Sequence, residues 1–184
     1  MRIENTEVDL SFINEVERIS GQKMAECYQC GKCSAGCPIG YVMELLPDKV
    51  MRFVQLGMKE DVLKSDTPWL CASCETCATR CPQEVELPRV MEAVRSIAIR
   101  EGRQAAGKGV PLFYSAFLNN IHAYGRIFEP AMVARFNFAV RQPFKDMKNA
   151  FVLFGKRKIS FRPHTPKGMA EIRKMFERIK AEEP

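Results

Sequence analysis

CYQCGKCSAGCP at residues 27–38 and CASCETCATRCP at residues 71–82 share one pattern, C-x2-C-x2-C-x3-C-P, and together they hold all eight cysteines of the chain. Three cysteines at steps of three in a tight loop can wrap three corners of a cubane, while the fourth points elsewhere. In two-cluster proteins with this spacing the fourth cysteine serves the other cluster. The pattern therefore predicts two 4Fe-4S clusters, one on Cys27, Cys30, Cys33 and Cys81, the other on Cys71, Cys74, Cys77 and Cys37. Zinc also takes four thiolates, but usually from two C-x2-C pairs well separated in sequence, which four cysteines within eleven residues fit poorly. Pro38 and Pro82 follow the fourth cysteines and turn the chain away. Gly31, Ser34 and Gly36 in the first loop, and Ser73 and Thr76 in the second, are small enough to let backbone N–H groups approach the sulfurs. Such bonds raise a cluster's potential, as does nearby positive charge from Lys32 or Arg80.

Outward from the motifs, the hydrophobic spacing is helical. Residues 9–20 read as a helix with Asp9 as N-cap, Phe12, Ile13, Val16 and Ile19 as its apolar set and Gly21 as its stop. Between the motifs Val42, Leu45, Leu46, Val50, Phe53 and Val54 recur at steps of three and four, with a helix expected from about Pro47 to Gly57. A short segment, Lys59 to Lys64, follows, and Ser65 to Pro68 reads as a turn before Trp69. After the second motif Pro88 opens a helix over 89–100 whose inner side is Val90, Val94, Ile97 and Ala98, closed by Gly102. No run alternates as a strand would, so the expected fold class is all-α: a helical domain over 1–102 and a C-terminal helical/extended arm over 103–184.

The arm begins at GRQAAGKGVP, residues 102–111, a linker by its three glycines and closing proline. Ten of the chain's twelve phenylalanines lie beyond it. Residues 112–124 and 130–141 read as helices, 155–166 as extended and 166–181 as a terminal amphipathic helix. The formal charge of +6 divides unevenly: residues 1–102 carry 12 Lys and Arg against 16 Asp and Glu, while 103–184 carry 16 against 6. The basic run Lys156, Arg157, Lys158, Arg162 could meet nucleic acid, but beside so many phenylalanines a protein partner is the expected reading, with no nucleic acid. Asn119, Asn120, Asn137 and Asp146 interrupt the apolar stretches of the arm, against an amphipathic membrane anchor.

At 184 residues the chain can bury a core without disulfides. Its apolar stretches, such as 110–118, fall far short of the ~20 residues a membrane span needs. The N-terminus has acidic residues among its apolar ones and no apolar stretch of signal-sequence length. The expected compartment is the cytoplasm, where cysteines are ligands before they are disulfides. Trp69 and Tyr28, beside cluster ligands, are expected to shield them from water. His122 and His164 are far from each other and from any acidic partner in sequence, and are expected to be surface or core residues. No catalytic pairing and no phosphate-cradling glycine loop is visible, so no substrate site is expected on this chain.

The paired motifs, the spacer of 33 residues between Cys37 and Cys71, the region VMRFVQLGMKEDVLKS and the stretch WLCASCETCATRCP together resemble the C subunit of the CoB-CoM heterodisulfide reductases. The resemblance covers residues 9–102, and all eight cysteines match its motif without substitution. It implies an α-helical ferredoxin fold and a non-catalytic electron-transfer subunit of an oxidoreductase. Electrons would pass from a flavin-containing, iron-sulfur A subunit to a catalytic B subunit, which reduces the CoM-S-S-CoB heterodisulfide in methanogenesis, with a hydrogenase in the larger assembly. The alternative is the iron-sulfur subunit of a fumarate reductase, succinate dehydrogenase or glycolate oxidase type complex. Those usually add a plant-type ferredoxin domain or further cysteine-rich repeats, and this sequence has neither.

Overall fold

A computed structural model of the chain describes residues 8–103, 109–145, 152–153, 155–156 and 162–182. Ten α-helices and two short 3-10 turns, and no strand, occur among these described residues. The fold is all-α. By compactness the chain divides into two units, Met1–Gly107 and Lys108–Pro184.

In the first unit, α1 (Leu10–Ser20) starts at Asp9, whose extended backbone lets its carboxylate accept the Phe12 N–H at 3.2 Å. The Ser11 hydroxyl, which donates to the same carboxylate, is the main cause holding the Asp9 pKa below the usual carboxylate value. The helix ends at Gly21, whose left-handed backbone (φ 68°) returns its N–H to the Glu17 carbonyl. Phe12 and Val16, one turn apart, are fully buried, each worth roughly 1.5–3 kcal/mol of transfer free energy. The next long elements are α3 (Pro47–Gln55), preceded by the four-residue α2 (Lys32–Ala35), then α4 (Lys59–Lys64) and α5 (Thr67–Leu70). After the four-residue α6 (Thr76–Thr79) comes α7 (Leu87–Arg100).

The axis of this unit is α7. It buries Val90, Met91, Ala93, Val94, Ile97 and Ala98, and α1, α3, α4, α5 and α6 all pack against it. Val50, Met51 and Val54 of α3, Val62 and Leu63 of α4 and Trp69 of α5 complete the core. As expected, α3 begins at Pro47: the residue before a proline is driven to extended backbone, and Leu46 sits at φ −63°, ψ 153°. Val42 and Leu46 are exposed. The stretch expected as a turn at Ser65–Pro68 instead winds, from Thr67, into α5, with Pro68 in the first turn, where a missing N–H costs nothing.

The second unit is described by itself. It contains α8 (Gly109–Tyr124), α9 (Glu129–Ala139) and α10 (Met169–Glu182), with α9 and α10 both packed on α8. Buried Asn120 ties the turn between α8 and α9, accepting the Phe128 N–H at 2.6 Å and donating to the Phe128 carbonyl at 3.2 Å. Phe113 meets Phe136 edge to face at 5.7 Å, and His122 meets Phe176 at 5.1 Å. Both histidines are exposed. Of the stretch expected to be extended, residues 162–166 form neither helix nor strand, 155–156 are helix and turn, and 157–161 lie outside the described residues, as does Asp146. Phe138 and Phe144 are 70% and 75% exposed.

Gly57 holds α1 to the end of α3. Its carbonyl accepts the Asp9 N–H at 2.9 Å, its φ is +65°, and a Cβ there would lie 2.7 Å from the Asp9 carbonyl oxygen. Gly21 shares the left-handed backbone, but a Cβ would meet nothing within 4 Å. Gly21→Ala should therefore cost about 1 kcal/mol from backbone strain alone, and Gly57→Ala roughly twice that or more. Denaturant unfolding followed by far-UV circular dichroism compares the two, and equal losses would mean the Asp9 contact yields without cost.

Candidate metal centre

The two cysteine loops repeat in backbone as well as in sequence. The second residue after the first cysteine is left-handed in both, Gln29 (φ 62°) and Ser73 (φ 51°), and so is the residue after the second cysteine, Gly31 (φ 74°) and Glu75 (φ 61°). Each pair of reversals folds a C-x2-C-x2-C stretch back on itself and leads into one helical turn, α2 or α6. These two turns pack on each other. Their contact falls at equivalent positions of the repeat: a Cβ on Gly36 would lie 2.7 Å from Cδ of Arg80, so the absence of a side chain at 36 makes room for the arginine at 80.

The eight cysteines are all free thiols, with Cys30 and Cys74, the second of each motif, the exposed ones. Cys37, the fourth cysteine of the first motif, lines one recess together with Cys71, Cys74 and Cys77 of the second. The wall of that recess is apolar, from Ile39, Met43 and Pro47 on one side and Leu87, Pro88 and Met91 on the other. On the other loop, Tyr28 is 57% exposed. Desolvation first, then the neighbouring thiols Cys30, Cys81 and Cys27, keep its hydroxyl above the ordinary pKa. Tyr28 thus feels Cys81 of the second motif as well as Cys30 and Cys27 of its own. Trp69 is buried.

Burial raises the Cys33 thiol and pushes Cys77 up to about 11, with Cys71 and Cys33 adding like charge at Cys77. Cys74 is lowered instead, chiefly by the Thr76 hydroxyl, 3.5 Å from its sulfur. Half-buried thiols that resist ionisation by themselves suit a cationic metal core, which deprotonates a coordinating thiol outright. The donors are all soft sulfurs, as iron-sulfur clusters require. Among the described residues no three Cys, His, Asp or Glu side chains converge on a single ion. A cubane does not need that, since each thiolate binds its own iron.

Several supporting residues had no signal in the motifs. The Val85 N–H donates to Cys81 Sγ at 3.3 Å, and the Gln29 side-chain amide approaches Cys27 Sγ at 3.4 Å. Gln55, on α3, donates to the Met24 and Cys27 carbonyls at 2.8 Å each, pinning the start of the first loop. Ser34 of α2 and Asp48 of α3 bond reciprocally, side chain to side chain and Asp48 N–H to Ser34 Oγ. Wholly buried Thr67 accepts the Leu45 N–H at 2.9 Å and donates to the Leu45 carbonyl at 2.8 Å. It thereby joins the segment after Cys37 to the segment before Cys71.

Residues 26–86 match the family model of the 4Fe-4S dicluster domain. This unit is an iron-sulfur, ferredoxin-like electron-transfer module. The chain is 38% identical over 107 residues to iron-sulfur C subunit 2 of the CoB-CoM heterodisulfide reductase of Methanocaldococcus jannaschii, covering 54% of this chain and 57% of the relative. It is 40% identical over 79 residues to the iron-sulfur C subunit of the CoB-CoM heterodisulfide reductase of Methanopyrus kandleri, covering 43% and 41%. A third relative, the C subunit of the H2:CoB-CoM heterodisulfide,ferredoxin reductase of Methanothermobacter marburgensis, is 30% identical over 107 residues, covering 58% of each chain. The chain is thus similar to C subunits of heterodisulfide reductases, as its motifs suggested, and spans about half the length of the curated relatives it matches. Among the described residues no helix is long and apolar enough to cross a membrane.

Thr67→Val keeps the shape of a buried side chain but strips both Leu45 backbone groups of their partner, at an expected cost of about 2 kcal/mol. The visible iron-sulfur absorbance of Thr67→Val should bleach faster than that of the wild type in denaturant under anaerobic conditions. Bleaching at the wild-type rate would show that the Leu45 clamp does not hold the loops together.

Proposed function

We propose that this chain is the electron-transfer subunit of a cytoplasmic CoB-CoM heterodisulfide reductase. In this reading it carries two 4Fe-4S clusters, on Cys27, Cys30, Cys33 and Cys81 and on Cys71, Cys74, Cys77 and Cys37. Electrons reach it from the flavin-containing A subunit and leave to the catalytic B subunit, which reduces the CoM-S-S-CoB heterodisulfide of methanogenesis. A hydrogenase joins the larger assembly. The chain has no substrate site of its own; residues 1–102 hold the clusters and 103–184 serve partner contacts. The observation that carries the reading is the recess in which Cys37 keeps company with the cysteines of the other motif.

When bound, a 4Fe-4S cluster supplies a one-electron carrier. The chain's residues do the rest. Eight thiolates hold the irons, the Val85 amide donates to the Cys81 sulfur and stabilises added negative charge there, and Met43, Leu87 and Met91 keep water from one side of the second site. Cys30 and Cys74, exposed on the surface, lie where a partner can approach each loop. Exposed Phe138 and Phe144 support a partner-binding role for the basic second unit.

Anaerobic purification from the native source, with iron counted and companions identified by mass spectrometry, tests the assignment. The expected result is about eight iron per copy of this chain, after the partners' share is subtracted, together with a flavoprotein and a cysteine-rich protein that reduces disulfides. Zinc in place of iron would overturn electron transfer, and a dicarboxylate or glycolate oxidase partner would change the enzyme served. Cys33→Ala should lose the cluster on the first loop. Cys37→Ala should damage the second cluster, although residue 37 lies in the first motif. Electron paramagnetic resonance of the singly mutated proteins distinguishes the two clusters, and loss of the first cluster alone in Cys37→Ala would refute crossed ligation.

A further inference from the structure

Gln55 and Gln29 form a relay of side-chain amides whose orientation is set by chemistry. The Gln55 Nε2 reaches two backbone carbonyls, Met24 and Cys27, at 2.8 Å each. Carbonyls only accept, so this end of Gln55 must be its NH2 group, and its Oε1 must face the other way. That oxygen lies 3.2 Å from the Gln29 amide and 3.4 Å from an Arg52 guanidinium nitrogen, both on the donor side of the bond. The Gln29 group facing it is therefore also an NH2, and the same nitrogen lies 3.4 Å from Cys27 Sγ. The left-handed backbone of Gln29 (φ 62°) turns this side chain back over its own loop. The equivalent residue of the second motif, Ser73, shares the backbone conformation but has no amide.

We propose that Gln29 donates a hydrogen bond to the ligating sulfur of Cys27, with Gln55 as the positioning residue that locks the donor, and that this relay raises the reduction potential of the first-loop cluster and not of the other. The inference rests on the two-cluster reading. Reduction adds negative charge that spreads onto the thiolates, so a donor aimed at one of them favours the reduced state. The effect stays local because the donor touches one sulfur of one site. Two loops built on one repeat thereby aim different donors at their sulfurs, since the second sets the Thr76 hydroxyl 3.5 Å from Cys74 Sγ and has no amide at residue 73.

Redox titration of the anaerobically purified chain, followed by electron paramagnetic resonance, tests it. Gln29→Met keeps the length and unbranched shape of the side chain and removes the donor. The expected result is full iron content, one cluster shifted to lower potential and the other unchanged. Unchanged potentials with iron content intact would overturn the relay and leave the two-cluster reading standing. A wild-type chain with zinc and no redox-active iron would overturn that reading, and this inference with it. The wild-type protein offers a second measurement that does not depend on a variant folding. With 15N in the glutamine side-chain amides, electron-nuclear double resonance of the reduced first-loop cluster should detect a 15N coupling and an exchangeable proton. Absence of a side-chain 15N coupling would overturn the proposal.

Discussion

The first unit depends on folding two short cysteine loops back on themselves, and this requires the backbone to reverse twice within seven residues. In each loop that is done with two left-handed residues, and only one of the four, Gly31, is a glycine. For an L-residue this region costs about 1–2 kcal/mol, so Gln29, Ser73 and Glu75 hold strain that the surrounding structure must outweigh. The helices around α7 supply the opposing free energy by burying a continuous apolar core, while paired side chains such as Ser34 with Asp48 and Thr67 with Leu45 join loops to scaffold. Strain persists at such sites when the surroundings over-determine the conformation. Here those surroundings are helical packing outside and metal ligation inside.

The loops are alike in backbone and unlike in chemistry. At equivalent positions Gly36 faces Arg80, Gln29 stands where the other loop has Ser73, and Gly31 where it has Glu75. A repeat that kept every residue would give two equivalent sites. Divergence at the positions that touch neither the core nor the metal lets the first loop borrow support from α3, through Gln55 and Asp48, and lets the second lean on α7 through Leu87, Pro88 and Met91. The half-buried thiols show why metal and fold are linked: burial raises Cys33 and Cys77, and a cationic core reverses that penalty.

The second unit has a different physical character. Its inner contacts are aromatic, such as Phe113 against Phe136, and its turn is stitched by the two bonds between Asn120 and Phe128. Yet it leaves Phe138 and Phe144 mostly in water and carries the whole excess of positive charge. Large exposed apolar side chains beside basic residues suit a surface that is covered in an assembly better than one that stays in solvent.

By itself the sequence determined the cluster chemistry and the helical class, because both depend on local spacing. C-x2-C-x2-C-x3-C-P is a short-range pattern, and Asp9, Gly21, Pro47 and Gly57 mark helix ends through their own backbone preferences. It misread Ser65 to Pro68 as a turn, because a proline beside small polar residues marks a turn and the first turn of a helix alike. Tertiary structure alone decided which residues support the sulfurs. Gln55 lies 26 residues from Gln29 and 28 from Cys27, Thr67 lies 22 from Leu45, and no local signal marks either, since a hydrogen bond between distant segments exists only after packing brings them together. The company Cys37 keeps with Cys71, Cys74 and Cys77 is of the same kind: the repeat raised the expectation, but their common recess exists only because α2 packs on α6.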